Sequence, residues 1–188
     1  MTWLAERYLK WRGWRFLGDL PDLDKMIIIG APHTSNWDFV VYLAAIRHWH
    51  MSPRFAGKHT LFRWPFGFFF RRFGGIPIDR SRPGGMVGQV TEQFEREKEM
   101  ILVVAPEGTR KAAPHWKSGF ARIAAKAEVP IVPARLHFPN KELVMGRPLE
   151  FDGDMGRLMD RLRTFYEPSQ GKDAEGMGPV VLKEEPSV

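Results

Sequence analysis

Met26-Ile27-Ile28-Ile29-Gly30-Ala31-Pro32-His33-Thr34-Ser35-Asn36-Trp37-Asp38 is the stretch on which the reading of this chain turns. The apolar run Met26–Gly30, closed by glycine and proline, reads as a buried strand. From Trp37 to His48, Val40, Val41, Ala44 and Ala45 fall on one side of a helix. Between strand and helix, His33 stands five positions before Asp38. In a regular helix two such positions lie about 140° apart, so these side chains can meet only if His33 sits in the loop and Asp38 in the helix's first turn. Ser35 suits the N-cap and Asp38 the N3 position of a Ser-x-x-Asp capping box, and the helix dipole favours a carboxylate there. Asp38 would then accept the N–H of one imidazole nitrogen, fix the tautomer and leave the other nitrogen as a base. The plainer reading, with Asp38 only a cap and His33 only a loop residue, stays open on spacing alone.

Outward from this stretch, helical and extended patterns alternate. Residues 3–12 read as a short helix with Leu4, Tyr8 and Trp11 on one face, Trp3 near its edge, and Gly13 as its stop. Further strands are expected at Arg54–Gly57, Ile76–Ile78, Met100–Val104, Val129–Arg135 (despite its two prolines) and Glu142–Met145. Helices are expected at Met86–Lys98, Ser118–Ala127 and Asp154–Tyr166. The fold class is therefore α/β: a single domain with a mostly parallel or mixed sheet flanked by helices. Residues 167–188, rich in Gly, Pro, Glu and Ser, are expected to be a disordered tail.

At 188 residues the chain suits one domain, and a globule of this size buries roughly 70% of its unfolded surface without staples. It has no cysteine, which excludes disulfides, iron–sulfur clusters and thiolate nucleophiles and fits a reducing compartment. No run of 18 apolar residues occurs, and Glu6, Arg7, Lys10, Arg12 and Arg15 interrupt any secretory-type apolar core. The formal charge of +6 is uneven: residues 47–82 carry eight Lys or Arg against one acid, Asp79. Interleaved with them are Phe62, Trp64, Phe66, Phe68, Phe69, Phe70 and Phe73. Basic and aromatic side chains together point to an anionic membrane surface. They could also stack single-stranded bases, but no helix-turn-helix, RNP-type or zinc-finger pattern is present, and no nucleic-acid partner is expected. In the N-terminal helix, Arg7, Lys10 and Arg12 could face phosphates while the aromatics enter lipid; simple packing on the domain is the other reading.

A second chemical unit follows Met100–Val104: Ala105-Pro106-Glu107-Gly108-Thr109-Arg110. Open α/β sheets bind ligands beyond the carboxyl ends of their strands. Gly108 permits close backbone approach, Thr109 offers a hydroxyl and Arg110 a guanidinium fork for phosphate. Gly75-Ile76-Pro77-Ile78-Asp79-Arg80 ends in an acid and an arginine in the same way. No Gly-x-Ser-x-Gly turn exists for a serine hydrolase, so His33 must activate a group brought by the substrate, an alcohol or an amine. No metal site is expected: one His with one Asp is an incomplete set, and His48, His50, His59, His115 and His137 follow no ligand spacing.

These blocks resemble, in order, those of the glycerolipid acyltransferase family, the 1-acylglycerol-3-phosphate acyltransferase-like enzymes with a His-x₄-Asp motif. His33…Asp38 matches that motif, Gly75–Arg80 the Gly-x-Ile-x-Ile-Asp-Arg type block, Pro106–Arg110 the Pro-Glu-Gly-Thr-Arg block, and Val129-Pro130-Ile131-Val132-Pro133 the apolar proline-containing block. The similarity spans roughly residues 25–148. The resemblance implies a glycerol-3-phosphate acyltransferase-like fold and an acyltransferase domain over residues 1–166, with 1–24 an amphipathic segment. It implies direct O-acyl transfer from a thioester, acyl-CoA or acyl carrier protein, to a lysophospholipid or lysophosphatidate, with no other cofactor. His33 would be the general base and Asp38 its orienter. Arg80, Arg110, Gly108 and Thr109 would hold the acceptor phosphate, with Glu107 supporting the turn or the acceptor. Lys58 would be a further phosphate contact and Lys117 a weaker one. Val129–Pro133 would line an acyl channel, as would the Trp64–Phe73 run unless it enters the bilayer. The 25 residues before Met26 are fewer than the membrane segment of many relatives, so peripheral association with the inner, cytoplasmic face of the membrane is expected. The competing readings are N-acyl transfer to an amine-bearing lyso-lipid, a non-catalytic anionic-lipid binding module, a metal-dependent phosphoesterase and a nucleic-acid binder.

Overall fold

Apolar residues run almost continuously along the central strands, at residues 26–29 and 100–104, and their side chains point alternately to the two faces, so the sheet buries both and two cores lie around it. The computed structural model describes residues 1–65, 67–79, 81 and 84–183, without the side chains of Lys58 and Leu61. The strands are β1 (Arg15–Leu17), β2 (Lys25–Ala31), β3 (Arg54–Lys58), β4 (Gly75–Ile78), β5 (Met100–Val104), β6 (Ile131–His137) and β7 (Glu142–Met145). The helices are α1 (Thr2–Trp11), α2 (Trp37–His48), α3 (Gly67–Arg72), α4 (Gly85–Arg96), α5 (Gly119–Ala127) and α6 (Met155–Tyr166). The sheet order is β1-β7-β6-β2-β5-β3-β4, with every pairing parallel except β6–β7. On one face, Ile27, Ile29, Leu102 and Ile131 pack with Phe94 of α4, Ile123 of α5 and Met159 and Leu162 of α6. On the other, Met26, Ile28 and Val132 pack with Ala5 and Leu9 of α1 and Val41 and Ala44 of α2. Fully burying each large apolar side chain is worth about 1.5–3 kcal/mol.

Strand β6 starts two residues later than expected, because the Val129 N–H closes α5 on the Ala124 carbonyl, and it ends two residues later, where His137 pairs with Glu142 of β7. It tolerates Pro133 for a geometric reason. The Pro133 carbonyl accepts the Gly146 N–H at 2.7 Å, so the missing N–H also faces the β7 side, beyond the last pair Ala134–Met145, and the ladder with β2 loses nothing. Tyr166, 4% exposed, completes that ladder. Its hydroxyl donates to the Ile29 carbonyl at 2.6 Å and accepts the Ala134 N–H at 3.2 Å, and burial pushes its pKa well above the usual phenol value. Removing it orphans two buried backbone groups. Tyr166→Phe is expected to lose about 1–3 kcal/mol in denaturant unfolding; an unchanged midpoint would contradict this bridge.

The structure departs from the sequence reading elsewhere too. Helix α4 stops at Arg96 because Glu97 is extended, φ −87° and ψ 141°. The aromatic run contains α3, and β1 was not anticipated at all. The segment 167–183, expected to be disordered, packs along the domain. Gln170 gives its carbonyl to the Phe138 N–H, Val181 its own to the Trp116 N–H, and Leu182 is 3% exposed. Its glycines permit the contact rather than disorder: a Cβ on Gly178 would lie 1.9 Å from the Ala113 carbonyl oxygen.

Candidate active site

The parallel pairing brings the carboxyl ends of β2, β5, β3 and β4 to one edge of the sheet, and the predicted blocks begin there. Ala31 leads into His33, Val104 into Glu107–Arg110, Lys58 ends β3 and Ile78 precedes Arg80. His33 Nδ1 lies 3.0 Å from Asp38 Oδ2. The same oxygen accepts the backbone N–H groups of Thr34 at 2.9 Å and Ser35 at 3.0 Å. Asp38 is 8% exposed and sits in the first turn of α2, where unpaired N–H groups and the helix dipole favour a carboxylate. The carboxylate arm of the expected capping box is thus present. The Ser35 hydroxyl, however, accepts the Trp37 backbone N–H at 3.2 Å rather than that of Asp38. A carboxylate only accepts, so Nδ1 is the donor, and in the neutral imidazole Nε2 is the nitrogen free to accept a proton, on a ring that is 34% exposed.

Glu107 joins the unit from the other block, which no local pattern could have disclosed. Its Oε1 accepts the His33 backbone N–H at 3.0 Å, while Oε2 is buried with no hydrogen-bond partner. At 6% exposure, burial raises its pKa above the ordinary 4.5, and the charge of Asp38 pushes the same way; hydrogen bonds from its own and the His33 backbone, and the His33 charge, oppose this. Unfolded, the group ionises near 4.5; folded, it keeps its proton to higher pH. The native state therefore binds the extra proton in between, and stability falls as pH rises through that window. Glu107→Gln keeps an acceptor and cannot ionise. Urea unfolding of both proteins is expected to show the variant gaining on the wild type from pH 4.5 upward; a difference independent of pH would contradict this.

Gly108 has φ +64°, and the amine of Lys117 lies where its Cβ would be, 2.5 Å away, so glycine both allows the turn and lets Lys117 lie over it. Thr109 and Arg110 are exposed, and Thr109 Oγ1 accepts the Lys111 N–H at 3.2 Å. Arg80 and the Lys58 side chain lie outside the described residues. Val129, Ile131 and Val132 are 5%, 0% and 0% exposed; Ile131 faces one core and Val132 the other. The aromatic run divides. Phe62 is buried, Phe69 and Phe73 pack against Phe39, and Trp64 and Phe68 are 94% and 81% exposed. The segment after α6 also reaches the loop that carries His33: the Asp173 N–H donates to Thr34 Oγ1 at 3.3 Å, and a Cβ on Gly171 would collide with that threonine. Among the described residues, no three His, Asp or Glu side chains gather as a metal ion would require, and no helix is long and apolar enough to cross a membrane.

A family model described as Acyltransferase matches residues 16–137. The chain is 31% identical over 114 residues to a 1-acyl-sn-glycerol-3-phosphate acyltransferase of Streptococcus pneumoniae, covering 61% of this chain and 42% of that protein. It is likewise 31% identical over 116 residues to the protein of that name from Limnanthes alba, covering 58% and 40%. The chain thus spans about two fifths of the length of these curated relatives. The fold is similar to that of the crystal structure of the 1-acyl-sn-glycerophosphate (LPA) acyltransferase, PlsC, from Thermotoga maritima. The TM-score is 0.60 at 18% identity, over 88% of this chain and 73% of that one.

Proposed function

Because the chain belongs to the acyltransferase family, we propose that it transfers a fatty acyl group from a thioester, acyl-CoA or acyl carrier protein, to the hydroxyl of lysophosphatidate or a related lysophospholipid. The observation that carries this reading is the 3.0 Å contact between His33 Nδ1 and Asp38 Oδ2, which leaves Nε2 as a base on a half-buried ring. The acceptor hydroxyl gives its proton to Nε2 as its oxygen attacks the thioester carbonyl carbon. The carbon–sulfur bond then breaks, and the leaving thiolate takes the proton back from Nε2. Asp38 stabilises the transient imidazolium.

Arg110, Gly108 and Thr109, with Arg80 and Lys58, hold the acceptor phosphate; the support for this is their common position after parallel strands ending at the same edge. Glu107 braces the backbone of His33. Val129–Pro133, packed in the sheet's core, would serve the acyl chain only as a floor. A peripheral seat on the cytoplasmic face of an anionic membrane belongs to the same reading, supported by the exposed Trp3, Trp11, Trp64 and Phe68 and the basic stretch between residues 47 and 82. The test is incubation of the purified chain with labelled acyl-CoA or acyl carrier protein and a panel of lysolipids. An acylated product that forms only with acceptor is expected. Liposome binding with no turnover on any thioester would leave a lipid-binding module instead.

A further inference from the structure

The expected amphipathic face of α1 points outward. The helix packs on α2 through Ala5 and Leu9, while Trp3, Leu4 and Trp11 are 50%, 61% and 78% exposed. Beside that bare face lies a pocket of about 290 Å³ that no step of the proposed reaction uses. Its floor is apolar, Leu9 and Val41, each 2% exposed. Its walls are aromatic: Tyr8 stacks on Trp37 with centroids 6.2 Å apart, and Trp14 meets Phe138 edge-on at 4.9 Å.

Three exposed cations edge this pocket, one from each of three distant parts of the chain. Arg12 follows α1, Lys141 sits in the β6–β7 turn and Lys172 lies in the segment after α6. Two are fixed in place. Lys141 is held in the left-handed region at φ 55°, and its amine donates to the Arg12 carbonyl at 3.0 Å. The Lys172 amine lies 4.8 Å over the Trp37 ring. No carboxylate lines the pocket.

We propose that this pocket binds one anionic phospholipid of the bilayer. The lipid phosphate would lie among Arg12, Lys141 and Lys172, and the first carbons of the lipid would enter the aromatic cavity. Size and setting favour a bilayer lipid over a soluble anion. The pocket is too small for a whole phospholipid, so most of the molecule must remain outside it, beside the apolar side chains of Trp3, Leu4 and Trp11. Those side chains are bare in water and covered in a membrane interface. A soluble phosphate ester or an acidic carrier protein would use the cations and leave that face exposed. Lys172 neighbours Asp173, whose N–H holds Thr34 beside His33, so the bound lipid would orient the site's edge toward the membrane. The inference rests on the reading that the chain works at a membrane surface.

The test compares the wild type, Lys141→Glu/Lys172→Glu, and a charge-matched control on the opposite face of the sheet, Arg122→Glu/Lys126→Glu in α5. All four positions are exposed, so the variants should keep the wild-type melting temperature. Each is sedimented with vesicles of phosphatidylcholine alone and with added phosphatidylglycerol, and assayed on short-chain, monomeric substrates. The pocket variant is expected to bind the anionic vesicles about tenfold or more weakly than the wild type, the control to bind nearly as well, and both to retain turnover. Equal loss in the two variants, or none in either, would overturn the pocket while leaving membrane association standing. Weakened binding of acyl carrier protein with vesicle binding intact would do the same. A wild type that binds no vesicle would overturn both the pocket and membrane association, and the turnover assay would still report separately on acyl transfer.

Discussion

His33→Ala is expected to slow acyl transfer about 10²- to 10⁴-fold and to leave the chain folded. The rate effect follows from what the ring does in the proposed reaction: it is the group placed to take the acceptor's proton. The fold should survive because the side chain is 34% exposed, and the backbone N–H that binds Glu107 is present in alanine too. Truncation does remove one of the three donors on Asp38 Oδ2, but the Thr34 and Ser35 N–H groups remain. The measurement is the steady-state rate with saturating thioester and acceptor, beside a thermal melt. A variant that keeps most of its rate would remove the histidine from the chemistry.

Substitution of Asp38 separates orientation from charge. Two backbone N–H groups converge on Oδ2, so in Asp38→Asn the amide oxygen, not the amide nitrogen, must occupy that place. The oxygen still accepts Nδ1–H, so the tautomer is kept and only the negative charge facing the imidazolium is lost. A hydrogen bond to a charged group is worth about 1.5–3 kcal/mol, which corresponds to a rate loss of roughly 10- to 10²-fold. The amide nitrogen falls where Oδ1 is now, buried with no partner, and this should cost about 1–3 kcal/mol of stability. Asp38→Ala frees the ring as well and orphans the Thr34 and Ser35 N–H groups, so its rate should fall further, toward the His33→Ala level. Equal rates for the asparagine and alanine variants would mean that charge alone matters and orientation does not.

The parts of the fold legible in the sequence are those set by local pattern. Met100–Val104, Glu142–Met145 and Trp37–His48 lie where apolar runs and helical spacing put them. The His33–Asp38 contact was legible because a first-turn carboxylate and the loop before it are neighbours in any strand–loop–helix of this kind. What was hidden depends on distant approach. The hydrogen bond from His33 to Glu107 crosses 74 positions, and that from Tyr166 to Ile29 crosses 137. The segment after Tyr166 looked disordered because Gly and Pro commonly mean an unburied chain, whereas here Gly171, Gly176 and Gly178 let backbone press against Thr34, Arg110 and Ala113. In α1 the aromatic stripe was legible, but whether it faced the core or the surface was not. The packing of α1 through Ala5 and Leu9 answers that.

In the proposed reaction His33, steadied by Asp38, moves only a proton, and the acyl group goes directly from the thioester to the acceptor hydroxyl. The most direct measurement is the intact mass of the protein, quenched during turnover with a labelled acyl thioester, with and without lysolipid. Unmodified protein is expected in both samples, with thioester cleavage and acylated lipid only when acceptor is present. A covalent acyl adduct, or thioester cleavage at the same rate without acceptor, would contradict direct transfer.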